Sequence, residues 1–282
     1  MSEQPAAPTA HSADLAFALE LADLADSIAL PRFRSADLRI DTKPDRTFVT
    51  DADRAVEDAL RQRIEEQRPD DSFFGEESGR ADRGSRRWIL DPIDGTSNFL
   101  RGVPNWATLI ALEVDGVQTV GVVSAPGFGA RWWAELGQGA WGQDTGSEPR
   151  RLRVSGVSEL EHASLSFQSI EQWREAGYLD SLLALERQVW RDRAYGDMWS
   201  YMLLAEGLVD IVAEFDVKAY DLAALVPIVT EAGGRFTDID GNESAWNGSA
   251  LATNGALHDA VVKAVAAARN SHPTQTRIES AT

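Results

Sequence analysis

Cysteine is absent from the 282 residues. That excludes disulfides, thiolate metal sites and cysteine nucleophiles. Histidine is scarce: His11, His162, His258 and His272 are the four, and none adjoins an acidic motif. A His-ligated zinc site is therefore not expected, and any metal should take oxygen ligands, which favours Mg2+. No apolar run reaches about 18 residues, so no membrane-spanning helix is expected. Positive charge is also short, with 27 Lys and Arg against 45 Asp and Glu and a formal net charge of -18. That balance opposes non-specific binding to nucleic acid or to an anionic membrane. It admits a phosphate only where bound cations invert the local field. The first residues lack the basic and apolar blocks of a secretory signal, so a cytoplasmic location is expected. What remains is ordinary globular material, 43% hydrophobic and 26% charged, enough for one large domain or two packed halves.

Residues 1–11 and 271–282 carry little to pack and read as disordered tails. Between them, 12–147 and 148–270 read as two halves that meet in a polar stretch at 144–150. The first half opens with a helix over 12–30, capped by Ser12 and stopped by Pro31. Two extended pieces follow over 40–49, around Lys43-Pro44-Asp45. An amphipathic helix then runs to about Gln67, with Asp51 and Asp53 at its start. Either acid could simply cap it. A short strand at 72–74 leads into Gly75-Glu76-Glu77-Ser78, whose glutamates by themselves read as solvated charge. Two apolar runs, 107–114 and 117–124, joined by Asp115-Gly116, read as a hairpin. A strand at 131–135 and a glycine-rich turn at 137–142 complete this half. The second half alternates: a strand at 164–168, helices at 171–188 and 197–206, a strand at 209–213, a helix at 221–232, strands at 235–238 and 250–253, and a helix at 257–267. Antiparallel strands followed by alternating elements point to layered sheets and helices.

The chemistry concentrates in Trp88-Ile-Leu-Asp-Pro-Ile-Asp-Gly-Thr-Ser-Asn-Phe99. A buried strand runs into a loop with Asp91 and Asp94 three apart. Pro92 fixes one φ between them. Gly95 permits a turn, and Thr96 begins a segment whose N–H groups can hold an anion. Two carboxylates beside an anion pocket repel that anion unless a cation sits between them. A metal-dependent site for a phosphorylated substrate follows. Such a hydrolase needs cations that lower the pKa of a bound water, N–H groups for the phosphate oxygens, and a group that orients the water. Asp91, Asp94, Gly95, Thr96 and Glu76 could supply these parts. Asp221, in Lys-Ala-Tyr-Asp-Leu-Ala-Ala, is an equally good N-cap for the helix that follows it.

These motifs resemble the inositol monophosphatase family of the lithium-sensitive, magnesium-dependent phosphatase superfamily. The matching pieces are Val49-Thr-Asp-Ala-Asp53, Gly75-Glu-Glu-Ser78, the 88–99 stretch, Tyr220-Asp-Leu-Ala-Ala224 and Thr230-Glu-Ala-Gly-Gly234, in family order. The resemblance implies an α/β layered fold, an αβαβα sandwich. Its N-terminal half carries a mixed, mainly antiparallel sheet and its C-terminal half alternates α and β. It implies that Glu76, Asp91 and the Ile93 carbonyl hold one Mg2+, that Asp91, Asp94 and Asp221 hold a second, and that Glu76 reaches a weaker third through waters. Thr96 and Glu76 would orient the nucleophilic water, with Asp53 bonded to Thr96. The N–H groups of Gly95 and Thr96 would cradle the phosphate, and Lys43 would add charge near the entrance. Tyr220 stands where inositol phosphatases commonly have Trp. A homodimer is also implied.

The stretch Arg193-Ala-Tyr-Gly-Asp197-Met-Trp-Ser-Tyr201, with Ala205-Glu-Gly207 and Glu214 downstream, resembles the histidinol-phosphate phosphatase branch. Histidinol phosphate carries an amine and an imidazole, which Asp197 and Glu214 could receive as charge-assisted bonds, with Arg193 among the substrate contacts. Against this, Asp197 could merely cap the following helix. The alternatives are an inositol-1-phosphate or broad sugar-phosphate phosphatase. From another class comes an idle regulator binding RNA or polymerase, which the intact acid set and the net charge oppose.

Overall fold

The computed structural model describes residues 11–43 and 48–271. The tail expectations for 1–10 and 272–282, and Pro44-Asp45 of the 40–49 segment, fall outside those residues. His11 lies edge-on to Trp133, with ring centroids 6.3 Å apart.

The first half begins with α1 (Ala13–Arg32), the strands β1 (Ile40–Thr42) and β2 (Phe48–Thr50), and α2 (Asp51–Gln67). Then come β3 (Ser72–Gly75), β4 (Gly79–Ala81), β5 (Arg86–Asp94) and α3 (Thr96–Arg101). The strands β6 (Ala107–Val114), β7 (Val117–Ala125), β8 (Ala130–Glu135), β9 (Gly139–Asp144) and β10 (Arg150–Arg151) follow. The second half has β11 (Ser164–Ser166), α4 (Ile170–Glu175), α5 (Leu179–Glu186), β12 (Arg191–Arg193), α6 (Asp197–Ala205) and β13 (Ile211–Phe215). It closes with α7 (Ala219–Leu222), α8 (Leu225–Glu231), β14 (Arg235–Thr237), β15 (Ser249–Thr253) and α9 (His258–Ser271).

Two sheets form the layers. One has eight strands in the order β10-β9-β8-β7-β6-β5-β3-β4, the other five in the order β12-β11-β13-β15-β14. The large sheet is antiparallel except for β3 beside β5. In the small sheet β11 pairs parallel with both β12 and β13. Helices α1 and α2 cover the outer face of the large sheet, and α6, α7 and α8 lie between the sheets. The outer face of the small sheet carries α4, α5 and α9. The αβαβα sandwich is thus present.

Side-chain alternation explains why the central strands read as unbroken apolar runs. Trp88, Leu90, Ile110, Leu112 and Val122 face α1 and α2. Ile89, Leu109, Ala111, Val123 and Trp132 face the middle helices. Successive residues of a strand point to opposite faces, and a sheet buried on both faces needs apolar side chains at every position. Trp88 is fully buried, which is worth about 2–3 kcal/mol in apolar area, and its indole N–H is satisfied 2.9 Å from Asp71. The middle layer approaches closely at Gly121 of β7. A Cβ there would lie 2.2 Å from the Ala224 carbonyl.

Some expected boundaries move. Helix α1 continues through Pro31 to Arg32, because proline sits in its last turn and the Phe33 N–H closes it on Ala29 and Leu30. The single helix expected over 171–188 is two, broken at Gly177, whose φ is +78°. The helix expected over 221–232 is also two. Pro227 in α8 has no N–H to give the carbonyl of Ala223 four residues back. The segment 137–142 is mostly strand: Gly142 pairs with Trp132, whose ring occupies the space that a side chain would need. Among the described residues no helix is long and apolar enough to cross a membrane.

Candidate active site

The centre of the site is built by β5. Its pairing with β6 slips between Asp91 and Asp94. This bulge turns two acids three apart toward one side. Asp91 Oδ1 accepts the Ile93 N–H at 3.0 Å, and Thr108 Oγ1 donates to the Pro92 carbonyl at 2.8 Å, which fixes the bulge. Gly95 follows with φ +78°. A Cβ there would lie 2.8 Å from the Asn105 carbonyl, so only glycine fits.

Asp221 enters from α7. One carboxylate oxygen of each of Asp91, Asp94 and Asp221 lies within 4.8 Å of the others, the only such acidic cluster among the described residues. Burial pushes Asp91 well above the carboxylate range, and the charge of Glu76 adds most after it, then Asp94 and Asp221. Asp94 is raised likewise by burial and by Asp197 and Asp221. Asp221 is pushed up to about 6 by burial, with the Lys218 N–H pulling the other way. Oxygen-only donors, crowded and buried without a compensating cation, fit hard divalent ions such as Mg2+.

Asp53 and Asp221 each do two things. Asp53 Oδ2 takes the Thr50 N–H at 2.8 Å and its hydroxyl at 2.5 Å, closing the capping box of α2. Its Oδ1 lies 3.2 Å from Thr96 Oγ1, which is also 3.0 Å from the Ile93 carbonyl. Asp221 Oδ2 accepts the Lys218 N–H at 2.6 Å as a cap of α7 while the residue stays in the cluster. Asp51 instead pairs with Arg32 at 2.8 Å, away from these groups.

The Gly75–Ser78 loop is not a solvated corner. Lys43 Nζ lies 2.7 Å from Glu76 and 2.6 Å from Glu77. Burial pushes Glu76 up to about 7, with Lys43 opposing and the charges of Glu77 and Asp221 adding. Burial works against the Lys43 charge, but its bonds to both glutamates hold the ammonium above its ordinary value. Beneath the loop sits Glu57 of α2, 1% exposed, accepting the N–H groups of Glu77 at 2.8 Å and Ser78 at 2.5 Å. A Cβ on Gly75 would lie 2.6 Å from its carboxyl carbon. Sequence reasoning missed Glu57, whose only signal is its place one helical turn after Asp53.

Beside the acids lies a cavity of about 140 Å³, lined by Asp94, Asp197, Glu214 and Asp221 with Gln168, Gln172 and Tyr201. Among the described residues no lysine or arginine lines it. Asp197 is not the cap of α6: the Met198 N–H goes to Asp94 Oδ2 at 2.8 Å. Instead Asp197 Oδ2 takes the side-chain amides of Asn98 at 2.7 Å and Asn105 at 3.1 Å, and its Oδ1 lies 3.4 Å from Gln168 Nε2. Gln168 Oε1 in turn takes the Asp197 N–H at 2.9 Å. Burial raises Asp197, while its bonds to Gln168 and Asn98 pull it down. Glu214 on β13 accepts the Tyr201 hydroxyl, and burial pushes it up to about 8. Among the described residues, five non-glycine residues have positive φ, and Gln168, Asp197 and Asp216 of this cavity are three of them. Such backbone concentrates at functional sites. Asn105 and Gln168 gave no sequence signal, and Asn98 had only its place in the 88–99 stretch, with no role assigned to it.

Arg193 is not brought here. It is exposed on edge strand β12, and its guanidinium bonds the adjacent Asp192 carbonyl at 2.6 Å. Tyr220 packs against Phe74, with centroids 5.8 Å apart. Two larger cavities, about 410 Å³ beside Arg131 and about 580 Å³ beside Trp246, contain none of the clustered acids.

Comparison with known proteins finds relatives over most of the chain. The sequence model of the inositol monophosphatase family matches residues 11–270. The histidinol-phosphatase of Mycobacterium tuberculosis is 56% identical over 88% of this chain and 96% of its own length. That of Streptomyces coelicolor is 51% identical over 87% and 94%. Among solved structures, a Thermotoga maritima IMPase superposes with a TM-score of 0.80 at 30% identity, covering 92% of this chain and 99% of its own.

Proposed function

The chain belongs to the inositol monophosphatase family, and we propose that it is a Mg2+-dependent phosphomonoesterase converting L-histidinol phosphate to L-histidinol and phosphate, a step of histidine biosynthesis. The observation that carries the substrate is the cavity wall, which has carboxylates at Asp197 and Glu214 and, among the described residues, no lysine or arginine. Such a wall complements an alcohol bearing an amine and an imidazole. It offers less to the neutral hydroxyls of inositol. The relatives named histidinol-phosphatase support the same reading.

In this reading Glu76, Asp91 and the Ile93 carbonyl would hold one Mg2+, Asp91, Asp94 and Asp221 would hold a second, and Glu76 would serve a weaker third. When bound, the ions would supply charge neutralisation for the phosphate and a lowered pKa for water. Thr96 accepts a hydrogen bond from the attacking water while donating to Asp53. Glu76 orients the same water from its loop, which Glu57 braces. Gly95 and Thr96 N–H groups hold phosphate oxygens, and Lys43 tempers the acids at the rim. Asp197 and Glu214 receive the nitrogen groups of the leaving alcohol, with Arg193 assigned no contact within this chain. The hydrolytic machinery thus belongs mainly to 12–147, and alcohol selection to 148–270, with Asp221 crossing over.

The proposal extends to a cytoplasmic homodimer. Exposed Trp190 and Leu208 beside edge strand β12 are the surface a second copy would cover, and sedimentation equilibrium of a Trp190→Lys variant tests it: a persisting dimer rejects that surface. The substrate is tested by kcat/KM for histidinol phosphate and inositol 1-phosphate, side by side with Mg2+. Equal or faster turnover of inositol phosphate overturns the substrate. No turnover of either overturns the phosphatase.

A further inference from the structure

Tyr201 lies one helical turn beyond Asp197 on α6 and is fully buried. Its ring stacks on Phe236 of β14, with centroids 5.7 Å apart and planes 22° from parallel. Beside it on the helix, Ser200 shares a buried hydroxyl pair with Ser166 of β11 at 2.9 Å. On this mounting the Tyr201 hydroxyl donates to one group, Oε1 of Glu214. The bond ties α6 to β13, the two elements that carry the acids of the alcohol wall. Glu214 Oε2 takes no bond from the described residues and is not one of the orphaned atoms shut off from solvent, so it opens on the cavity that Glu214 lines. An ionised carboxylate offers only acceptors there. Burial pushes the Glu214 carboxyl up, the Tyr201 hydroxyl opposes it, and the charges of Asp221 and Asp197 add to it. Among the described residues this hydroxyl is the one hydrogen-bond donor to Glu214.

We propose that Tyr201 is a positioning residue for alcohol recognition: its hydroxyl occupies one oxygen of Glu214 and fixes the other at a set spacing from Asp197, where it accepts an N–H of the leaving alcohol. The inference rests on the phosphatase reading and on Glu214 as a contact of the alcohol. It deepens that reading by making the spacing of two acids, rather than either acid alone, the feature matched to an alcohol with two nitrogen groups. Tyr201 acts in this role only through Glu214. A site built to hydrogen-bond such groups discriminates against a ligand that lacks them.

A double-mutant cycle of Tyr201→Phe and Glu214→Gln tests it on the full chain with Mg2+. The readouts are KM and kcat for histidinol phosphate and 4-nitrophenyl phosphate, and calorimetric binding of L-histidinol. Tyr201→Phe should weaken L-histidinol binding by about tenfold. It should lower the kcat/KM ratio of histidinol phosphate to 4-nitrophenyl phosphate by about the same factor, through KM rather than kcat. Glu214→Gln, which turns an N–H toward the cavity, should weaken L-histidinol binding at least as much. The double variant should bind within about twofold of Glu214→Gln, because the oxygen that the hydroxyl aims is already gone. Unchanged L-histidinol binding in Tyr201→Phe, an equal loss for both esters, or a double variant weaker than Glu214→Gln by the full Tyr201→Phe factor overturns the inference. If Tyr201→Phe does not fold, the double variant, which leaves no buried carboxylate unpaired, decides by its comparison with Glu214→Gln. Wild-type binding by Glu214→Gln removes the contact and the inference together. Failure of the wild-type chain to hydrolyse either ester overturns the phosphatase reading instead.

Discussion

Asp197→Asn separates charge recognition from architecture in one substitution. The carboxylate Oδ2 is held by two amides, Asn98 at 2.7 Å and Asn105 at 3.1 Å, while Oδ1 faces only the long 3.4 Å contact from Gln168. An asparagine can keep its oxygen toward Asn98 and Asn105 and turn its nitrogen to the Oδ1 position. The fold then loses little, because the one donor–donor conflict falls on the weakest contact. The ligand loses more, because a cationic nitrogen that had faced a carboxylate oxygen now faces an N–H. A hydrogen bond to a charged group is worth about 1.5–3 kcal/mol, so kcat/KM for histidinol phosphate should fall between about 10- and 150-fold. For inositol 1-phosphate, whose hydroxyls accept as well as donate, the change should stay within about threefold, less than one neutral hydrogen bond. The assay is phosphate release with both esters at saturating Mg2+, with a melting curve to verify folding. An equal loss for the two esters, with or without a drop in Tm, refutes the role given to Asp197 and makes it a structural acid.

Other consequences follow from the same contacts. Chelating Mg2+ should abolish turnover, and restoring it to about 100 times Kd should stabilise the chain by ~2.7 kcal/mol, seen as a rise in Tm; no rise would remove the metal from the acid cluster. Burial raises Glu76 to about 7 and Asp221 to about 6 in the metal-free chain, so the metal-free fold gains stability as pH falls through those values. Mg2+ must displace those protons, so its half-saturating concentration for activity should climb below pH 7, and a flat profile would count against both ligands. Glu57→Gln puts one amide donor against the N–H of Glu77 or Ser78 and should cost about 1.5–3 kcal/mol; the Mg2+ requirement should rise with KM for substrate little changed, whereas an unaltered Mg2+ requirement would free Glu57 from the Glu76 loop. His258 is fully buried between the hydroxyls of Thr237 and Thr253, each 3.1 Å away. Burial, helped by Arg235, depresses it from 6.5 to about 4. Its contribution is complete above pH 6.5 and is lost as pH falls toward 4, because the unfolded chain binds the proton first. That makes ~3 kcal/mol of the acid slope of stability, which His258→Gln should remove in denaturant titrations at pH 7 and pH 4; an unchanged slope would show that the ring is not buried neutral.

Much of the layered fold could be read because both faces of the large sheet are covered. Its central strands are written as the apolar runs at 107–114 and 117–124, and Asp115-Gly116 marks their turn. Helix breaks were harder. Gly177 and Pro227 interrupt segments whose apolar spacing continues across the break, so periodicity alone carries past them. The short edge strands β4, β10 and β12 are rich in arginine, as exposed edges are, and look like loops. In the site, local reasoning posed Asp53 and Asp221 as caps or chemistry. A carboxylate has two oxygens, and each residue spends one on a cap while the other part of the group stays with the cluster or with Thr96. The role of Asn98, and Asn105 and Gln168 altogether, could not be found in the sequence, because an amide is unremarkable until the fold delivers its partner from 99, 92 and 29 residues away.

The acid cluster and the alcohol wall touch at defined points, and those contacts bear on how one acid set can serve different phosphates. Asp94 sits in the cluster, yet its Oδ2 holds the Met198 N–H at the start of α6. Gly95, next to it, leaves room for the Asn105 carbonyl, and its missing Cβ would lie 3.5 Å from the Asp197 carboxyl carbon. The loop that presents the acids is therefore seated directly against the loop that presents Asp197. Position along this seam is set by the Met198 N–H, by Gly95 and by the Asn98 and Asn105 amides that hold the Asp197 carboxylate. Exchanging residues at 168 or 172, or at 197 for one that keeps an oxygen toward Asn98 and Asn105, can then change which alcohol is accepted while Asp91, Asp94 and Asp221 keep their places. Function at such a site is carried by the grafted wall rather than by the fold. Family membership accordingly argues for phosphate-ester hydrolysis, while the choice of alcohol has to be argued from Asp197, Glu214 and the two glutamines.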